Sequence, residues 1–234
     1  MPKKLWEPSK ALIKKSNLFA YEKFISKYYK YNFSRNYTKL LKWSLKNPKD
    51  FWNSIWKYFD VIGLKTNKFK LTKDLINSKF FVNSKLNFAE NLLVKNSNQK
   101  AITFVSENGY KEQKTWKDLN IEVKKIITFY KKINISEKDR IAAYTPNQIE
   151  TVECFLSASA IGSIWSSCSP DFGVLGVIER FSQIKPKLLI ITDKYYYNGK
   201  EINIIERLPK ILKKIKSIKS ILILNYPGKK LRKL

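Results

Sequence analysis

Short β-favouring segments alternate with helical segments throughout the second half of this chain, and this alternation restricts the fold more than any other feature. Strands separated by helices of about ten to fifteen residues indicate right-handed β-α-β crossovers. The predicted strands cover residues 140–144, 163–168, 187–191 and 218–224. The predicted helices between them cover residues 148–161, 174–184 and 202–215. The fold class that follows is α/β with a parallel sheet.

A helical region rich in aromatic residues precedes this sheet. Tyr21, Phe24, Ile25 and Tyr28 recur at helical spacing, and Asn47-Pro48 has the form of an N-cap followed by proline at the first helical position. Lysines interleaved with aromatic residues also occur in proteins that bind single-stranded nucleic acid. At helical spacing, a packed face is favoured over that alternative.

Between these two regions the sequence predicts a β-hairpin and a capped helix. Residues 101–105 and 111–115 have strand character and flank the turn sequence Glu107-Asn108-Gly109. Thr115 stands where the N-cap of a following helix is expected. The composition changes near residue 95, so we expect one region over residues 1–95 and another over residues 96–234.

The formal net charge of +27 is distributed unevenly. Residues 141–192 contain three basic and four acidic residues, whereas residues 1–140 and 193–234 carry net charges of +19 and +9. Most of the excess is lysine, and little arginine is present for bidentate contacts with phosphate or guanine. A solvated basic surface is therefore favoured over nucleic-acid binding. A free-standing basic module that binds CoA or another polyanion without catalysis stays open as the alternative function.

The scarcity of some residue types excludes several kinds of site. The chain has no histidine, so a His-containing catalytic triad or metal cluster is excluded, and two cysteines are too few for a cysteine-rich zinc site. Cys168 has no neighbouring cation in the sequence that would activate it as a nucleophile. No signal-peptide pattern opens the chain, and no apolar run is long enough to span a bilayer. These features predict a protein of the reducing cytoplasm.

Three segments follow predicted strands and therefore lie at the carboxyl edge of the sheet, where open parallel sheets bind ligands. They cover residues 145–147, 166–173 and 192–200. The second segment supplies hydroxyl groups and a carboxylate ahead of a helix, although Ser169-Pro170-Asp171 is more often an N-cap with a turn. The third places Gly199-Lys200 after three tyrosines, which suits either a nucleotide ligand or an ordinary loop.

Several motifs resemble the amino-terminal part of acetyl- and acetoacetyl-CoA synthetases, which belong to the adenylate-forming superfamily. The motifs follow one another in register along the chain, and the last two are closer to the acetoacetyl-CoA synthetases. They are Leu5-Trp-Glu-Pro-Ser9, Phe51-Trp-Asn-Ser-Ile-Trp56, Leu86-Asn-Phe-Ala-Glu-Asn-Leu-Leu93, Thr115-Trp-Lys-Asp-Leu119, Asp139-Arg-Ile-Ala-Ala-Tyr144, Trp165-Ser-Ser-Cys-Ser-Pro-Asp-Phe-Gly173 and Tyr197-Asn-Gly-Lys200.

This resemblance implies the adenylate-forming fold, with an amino-terminal cap over residues 1–95 and an incomplete first subdomain over residues 96–234. It implies a reaction of acetoacetate with ATP that gives an acyl-adenylate and diphosphate, followed by capture with CoA. ATP, Mg²⁺ and CoA are the implied co-substrates. The glycine-rich phosphate loop and the lysine-bearing carboxyl-terminal domain of such enzymes have no counterpart in these 234 residues. We therefore expect a truncated chain that is inactive alone, with no catalytic residue and no metal ligand of its own.

The resemblance also assigns site residues to two segments. Tyr197, Asn198, Gly199 and Lys200 match the segment that contacts the nucleotide end of CoA in relatives. The residues expected on the substrate side are Trp165, Ser166, Ser167, Ser169 and Asp171. The expected partners are acetoacetate and CoA, with no nucleic acid and no membrane. Self-association through an exposed strand edge is expected as well.

Overall fold

The computed structural model describes residues 5–74 and 76–227 and divides the chain into two compact units. The units are Met1–Leu86 and Asn87–Leu234. The boundary expected after residue 95 falls inside the second unit. The identities assigned to the two regions, cap and first subdomain, stay predictions.

The first unit is built from helices around an aromatic core. Its helices are α1 (Lys10–Lys15), α2 (Asn17–Tyr29), α3 (Tyr37–Lys46) and α4 (Pro48–Tyr58). The buried residues of the core are Tyr21, Ile25, Phe33, Leu40 and Trp43. The helical spacing of the aromatic residues is therefore confirmed as a packed face. Residues 59–86 add two isolated antiparallel bridges, which join Leu64 with Lys85 and Lys70 with Lys79.

Asn47 occupies the predicted N-cap position of α4, but its side chain does not cap the helix. The side-chain nitrogen Nδ2 of Asn47 instead donates a hydrogen bond of 3.1 Å to the Trp43 carbonyl oxygen at the end of α3. Pro48 at the first helical position needs no acceptor for its nitrogen. The short connection between α3 and α4 thus uses Asn47 to end one helix and Pro48 to begin the next.

The second unit contains the predicted parallel sheet. Its elements, in chain order, are α5 (Phe88–Leu92), β1 (Lys100–Val105), β2 (Lys111–Thr115), α6 (Trp116–Lys132), β3 (Arg140–Tyr144), α7 (Ile149–Ala160), β4 (Ile164–Cys168), α8 (Val174–Ile184), β5 (Leu188–Thr192), β6 (Lys194–Tyr197), β7 (Lys200–Asn203), α9 (Leu208–Lys214) and β8 (Ser220–Leu224). The four parallel strands lie in the order β4-β3-β5-β8. All four predicted strands and the parallel α/β sheet are confirmed.

Helices cover both faces of the sheet. Ala142 and Tyr144 of β3 face one side, where α8 and α9 pack, and Ile141 and Ala143 face the other, where α6 and α7 pack. All five residues of β5 are buried, as expected for a central strand covered on both faces. The predicted cap of α6 is also present, since Thr115 and Asp118 form a reciprocal capping box.

The helix predicted over residues 202–215 is wrong in its first half. Lys200–Asn203 is the second strand of a hairpin with β6, and α9 begins only at Leu208, after a short 3₁₀ helix at Ile205–Arg207. The hairpin turn consists of Asn198 and Gly199, whose φ angles are 50° and 73°. Two positive φ angles at an Asn-Gly pair characterise the type I′ turn, which joins adjacent antiparallel strands.

Candidate functional site

The carboxyl ends of the parallel strands bring the three predicted segments to one edge of the sheet. Tyr144 pairs with Cys168 and with Ile191, so the residues that follow these strands lie beside one another. Thr145 is buried, and its hydroxyl group has no hydrogen-bond partner among the described residues. Asn147 is exposed at the same edge.

Trp165, Ser166 and Ser167 lie within β4 and not in a loop. Trp165 packs on the α7 side, where its ring centroid is 5.8 Å from that of Phe155. Ser166 and Ser167 point to opposite faces, because successive residues of a strand alternate. These three residues therefore do not share one surface. Their expected place on the substrate side stays a prediction.

Ser169 and Asp171 do lie in the loop that follows β4. The Ser169 hydroxyl donates a hydrogen bond of 2.7 Å to Oδ2 of Asp171, and the Phe172 amide donates one of 3.1 Å to the Ser169 carbonyl oxygen. The N-cap of α8 is Gly173, with no side-chain cap. Ser169-Pro170-Asp171 thus forms a turn. The alternative to a ligand site was an N-cap with a turn, and only the turn is present, because these residues do not cap α8.

Tyr144 and Arg207 hold this loop through hydrogen bonds to its backbone carbonyl oxygens. Tyr144 is completely buried, and its hydroxyl group lies 3.1 Å from the Pro170 carbonyl oxygen and also contacts that of Phe172. Nη1 of Arg207 donates to the Tyr144 hydroxyl and to both carbonyl oxygens, at 2.9 Å for Pro170 and 3.1 Å for Phe172. One guanidinium group therefore joins β3, the loop after β4 and the segment after β7.

Tyr195 of β6 holds the same loop from the hairpin. Its hydroxyl group donates a hydrogen bond of 2.7 Å to Oδ1 of Asp171. The bonds from Tyr195 and Ser169 lower the pKa of the Asp171 carboxyl. Burial, followed by the bond to Asp171, raises the pKa of Tyr195 to about 12. The carboxylate and the neutral phenol are thus the stable forms at neutral pH.

The hairpin tip presents the four residues assigned to CoA. The Tyr197 side chain is 57% exposed, and Tyr197 pairs with Lys200 across the Asn198-Gly199 turn. The Gly199 amide donates a hydrogen bond of 3.3 Å to Oε2 of Glu107, which comes from the turn between β1 and β2. In the part of the chain that the structure describes, Lys200 has no ion-pair partner. The tip therefore offers a free ammonium group beside an exposed aromatic ring and one carboxylate.

Lys194, in contrast, is already paired within the hairpin. Its ammonium nitrogen lies 2.9 Å from Oε2 of Glu201, and the Tyr196 hydroxyl donates to the same oxygen at 2.5 Å. These bonds lower the pKa of the Glu201 carboxyl. The two lysines of the hairpin thus differ, because only Lys200 is available to an anionic ligand.

Comparison with known proteins identifies the family. The family model described as AMP-binding enzyme matches residues 90–233, which is more than half of the chain. The chain belongs to the AMP-binding enzyme family. A second model, described as acetyl-coenzyme A synthetase N-terminus, matches residues 37–92.

Curated relatives of this AMP-binding chain include acetoacetyl-CoA synthetases. The Rhizobium meliloti protein is 34% identical over 212 residues, which cover 90% of this chain and 32% of the relative. The Gallus gallus protein is 37% identical over 196 residues, which cover 82% of this chain and 29% of the relative. A malonamoyl-CoA synthetase of Penicillium aethiopicum is 28% identical over 229 residues, covering 94% of this chain and 31% of the relative. The chain thus spans about a third of the length of these relatives.

The structure of acetoacetyl-CoA synthetase from Streptomyces lividans has the same fold. It superimposes with a TM-score of 0.88 over 99% of this chain and 36% of that chain, at 24% sequence identity. The predicted adenylate-forming architecture, with a partial AMP-binding domain, is therefore confirmed.

The hairpin tip of this AMP-binding chain carries two groups of the kind that bind nucleotides. The exposed ring of Tyr197 suits stacking on adenine, and the free ammonium group of Lys200 suits a phosphate; ATP and CoA both carry these groups. For Mg²⁺, the described residues contain no group of three or more acidic, cysteine or histidine side chains that could hold a metal ion. Burial raises the pKa of the Cys168 thiol, which disfavours a nucleophilic thiolate. No helix in the described part of the chain is long and apolar enough to cross a membrane.

Arg207, Tyr195 and Tyr144 are the site residues that the sequence analysis missed. A tyrosine at the end of a buried strand is a usable signal, because a buried phenol normally needs a hydrogen-bond partner. Arg207 has no comparable signal. Its acceptors include main-chain carbonyl oxygens 35 and 37 residues away, which any residue type would provide.

Proposed function

We propose that this chain forms the amino-terminal part of an acetoacetate–CoA ligase. The overall reaction is ATP + acetoacetate + CoA to AMP + diphosphate + acetoacetyl-CoA, carried out in the cytoplasm. The observation that carries the proposal is the 34–37% identity to acetoacetyl-CoA synthetases over 82–90% of this chain. The matches to the two family models, in the order expected for such an enzyme, support it.

The part of this chain in the reaction is to bind and orient CoA. Lys200 would contact a phosphate group at the nucleotide end of CoA, and Tyr197 would stack near the adenine ring. The loop with Ser169 and Asp171 would face the same edge of the sheet. ATP and Mg²⁺, when bound, supply the activation of the carboxylic acid. The preorganised charges that stabilise this step belong to segments of such enzymes that have no counterpart in these 234 residues.

A chimeric enzyme tests the substrate and the reaction. We would replace the matching amino-terminal region of the Rhizobium meliloti synthetase with this chain and measure acid-dependent exchange of diphosphate into ATP. We expect exchange with acetoacetate that exceeds exchange with acetate or malonamate. An intact, monodisperse chimera that prefers another acid would contradict the assignment of acetoacetate.

The isolated 234-residue chain provides the complementary measurement. We expect no acetoacetate-dependent exchange above a boiled control. If this chain alone catalysed exchange, the proposal that it requires the rest of such an enzyme would be wrong. A salt titration of polyanion binding adds a check on the alternative function, because a basic binding module should lose affinity steeply between low and physiological salt.

A further inference from the structure

Two parts of the candidate site that are distant in sequence are joined by side chains. The first is the loop after β4, residues 169–172, and the second is the β6–β7 hairpin. Tyr195 reaches from β6 to Asp171 with a hydrogen bond of 2.7 Å between the phenol and the carboxylate. Tyr195 is only 7% exposed, whereas Asp171 lies at the surface.

The other end of the hairpin is joined to the same loop. Arg207 follows β7 in the short 3₁₀ helix, and its Nη1 donates to the carbonyl oxygens of Pro170 and Phe172. Tyr144, which is completely buried, shares these two acceptors and also accepts from Arg207. The loop is therefore held at its side chain by β6 and at its backbone by the segment after β7.

A second feature of the loop limits its movement further. The guanidinium carbon of Arg180, in α8, lies 4.4 Å from the ring centroid of Phe172. This contact acts on the outer side of the loop, and Phe172 is 39% exposed. The hydrogen bonds from Tyr195 and Arg207 act on the inner side. The hairpin, the segment after β7 and Tyr144 of β3 together fix the inner position of the loop.

We propose that Tyr195, Arg207 and Tyr144 are positioning residues that set the hairpin tip against the loop after β4. They would keep the CoA-facing residues Tyr197 and Lys200 at a fixed distance from Asp171. The role of this arrangement in CoA binding rests on the proposed function. The coupling of the hairpin to the loop rests only on the hydrogen bonds from Tyr195 and Arg207. None of the three positioning residues needs to touch a substrate.

Tyr196 supplies a matched control for Tyr195. The two residues are neighbours on β6, and both hydroxyl groups donate to a carboxylate. The Tyr196 hydroxyl bonds to Glu201 within the hairpin and also interacts with Asn108 in the turn between β1 and β2, whereas the Tyr195 hydroxyl bonds to Asp171 of the loop. Replacing either tyrosine with phenylalanine removes one hydroxyl group, but only Tyr195→Phe removes a bond between the hairpin and the loop.

Hydrogen exchange on the 234-residue chain tests the coupling directly. The reporter is the Phe172 amide, which is bonded to the Ser169 carbonyl oxygen inside the loop. We expect Tyr195→Phe to speed exchange at this amide about tenfold, because a bond to a charged group is lost. Tyr196→Phe should leave it unchanged. Equal rates in the two variants would overturn the proposal.

A double-mutant cycle distinguishes loss of the Tyr195–Asp171 bond from a general loss of structure. Asp171→Ala should speed the same exchange, and adding Tyr195→Phe to it should produce little further change, because Asp171→Ala already removes the Tyr195–Asp171 bond. Arg207→Met, which removes the three hydrogen bonds donated by Nη1, should also speed exchange. Fully additive effects of Asp171→Ala and Tyr195→Phe would contradict a shared bond.

Kinetics of the chimera separate this inference from the proposed function. Tyr195→Phe should raise the apparent KM for CoA several-fold, and Tyr196→Phe should leave that KM unchanged. If hydrogen exchange at the Phe172 amide responds as expected while no hairpin variant changes the apparent KM for CoA, the coupling stands and the assignment of the tip to CoA fails. If exchange at Phe172 does not respond, the positioning role fails whatever the kinetics show.

Discussion

At the scale of single residues, an acidic group beside the hairpin tip, Glu107 of the turn between β1 and β2, opposes the proposed ligand. The Glu107 carboxylate accepts the Gly199 amide bond at the same tip where Lys200 would meet a phosphate. A carboxylate beside a phosphate site repels the ligand, although exposure and salt weaken the effect. Glu107 should therefore reduce the affinity for CoA while helping to hold the turn.

Replacing Glu107 with glutamine separates these two effects. The amide oxygen of the variant can still accept the Gly199 bond, but the negative charge is gone. We expect Glu107→Gln in the chimera to lower the apparent KM for CoA about twofold at low salt, with a smaller change at high salt. Glu137→Gln is the control, because Glu137 lies at the opposite, amino-terminal edge of the sheet. A rise in KM would show that Glu107 assists CoA binding.

The sequence predicts where a residue that follows a strand lies, but it does not predict hydrogen bonds to main-chain atoms. The place of Ser169 and Asp171 at the carboxyl edge was predictable because they follow a predicted strand of a parallel sheet. Arg207 was not predictable, since carbonyl oxygens leave no mark on the sequence. Trp165 lies in β4, within the strand predicted over residues 163–168, and its expected place on the substrate side stays a prediction.

At the scale of elements, the β1–β2 hairpin is attached to α7 by a buried ion pair. Nζ of Lys114 lies 2.8 Å from Oε1 of Glu153, and the Glu153 side chain is only 3% exposed. Burial raises the pKa of the Glu153 carboxyl, and the bond to Lys114 opposes part of that rise. Ionised Glu153 therefore depends on Lys114 for compensation inside the protein.

Removing Lys114 should destabilise the fold far more than removing an exposed lysine. We expect Lys114→Met to lower the free energy of unfolding by about 3 kcal/mol, because it leaves a buried carboxylate uncompensated. The double variant Lys114→Met/Glu153→Leu should recover most of this loss. Lys125→Met is the control, since Lys125 pairs with Glu122 on the exposed side of α6. Urea unfolding measures all three, and equal costs for Lys114→Met and Lys125→Met would contradict the account.

The cost of Lys114→Met should also depend on pH. The folded-state pKa of Glu153 is raised, so the folded protein binds this proton more readily than the unfolded chain. The stability contributed by protonated Glu153 is present at low pH and is lost as the pH rises through the folded-state pKa. The loss in the variant should therefore be largest at neutral pH and shrink as the pH falls toward 4.5.

The elements themselves were predictable to different degrees. The four parallel strands were predicted because each is a short apolar segment between helical segments. The β6–β7 hairpin was missed because the apolar spacing at Ile202, Ile205 and Ile211 continues through β7 into α9 and imitates one helix. The Asn198-Gly199 pair was the available signal for a tight turn.

At the scale of the whole molecule, the sheet has two edge strands, β4 and β8, within the described residues. Ile221 and Ile223 of β8 are 38% and 48% exposed, and Ile164 of β4 is 50% exposed. Unpaired strand edges with exposed apolar side chains promote association between chains. We expect the isolated chain to self-associate and to bind a hydrophobic dye.

A charge on the edge strand should reduce this association. Ile223→Lys should shift the light-scattering mass toward that of the monomer and lower dye fluorescence, because a lysine opposes pairing at a strand edge. Val105→Lys is the control, since Val105 is exposed on β1, outside the parallel sheet. A wild-type chain that is a sharp monomer with no dye binding would contradict the expected association.

The central claim is that the hairpin tip of this chain binds CoA for the second half of a ligase reaction, and Lys200→Ala in the chimera tests it most directly. Diphosphate exchange and the apparent KM for CoA would be measured for this variant and for Lys138→Ala, whose lysine lies at the opposite edge of the sheet. We predict that Lys200→Ala raises the KM for CoA several-fold and leaves exchange unchanged, while Lys138→Ala changes neither. Abolished exchange with an unchanged CoA dependence would contradict the claim.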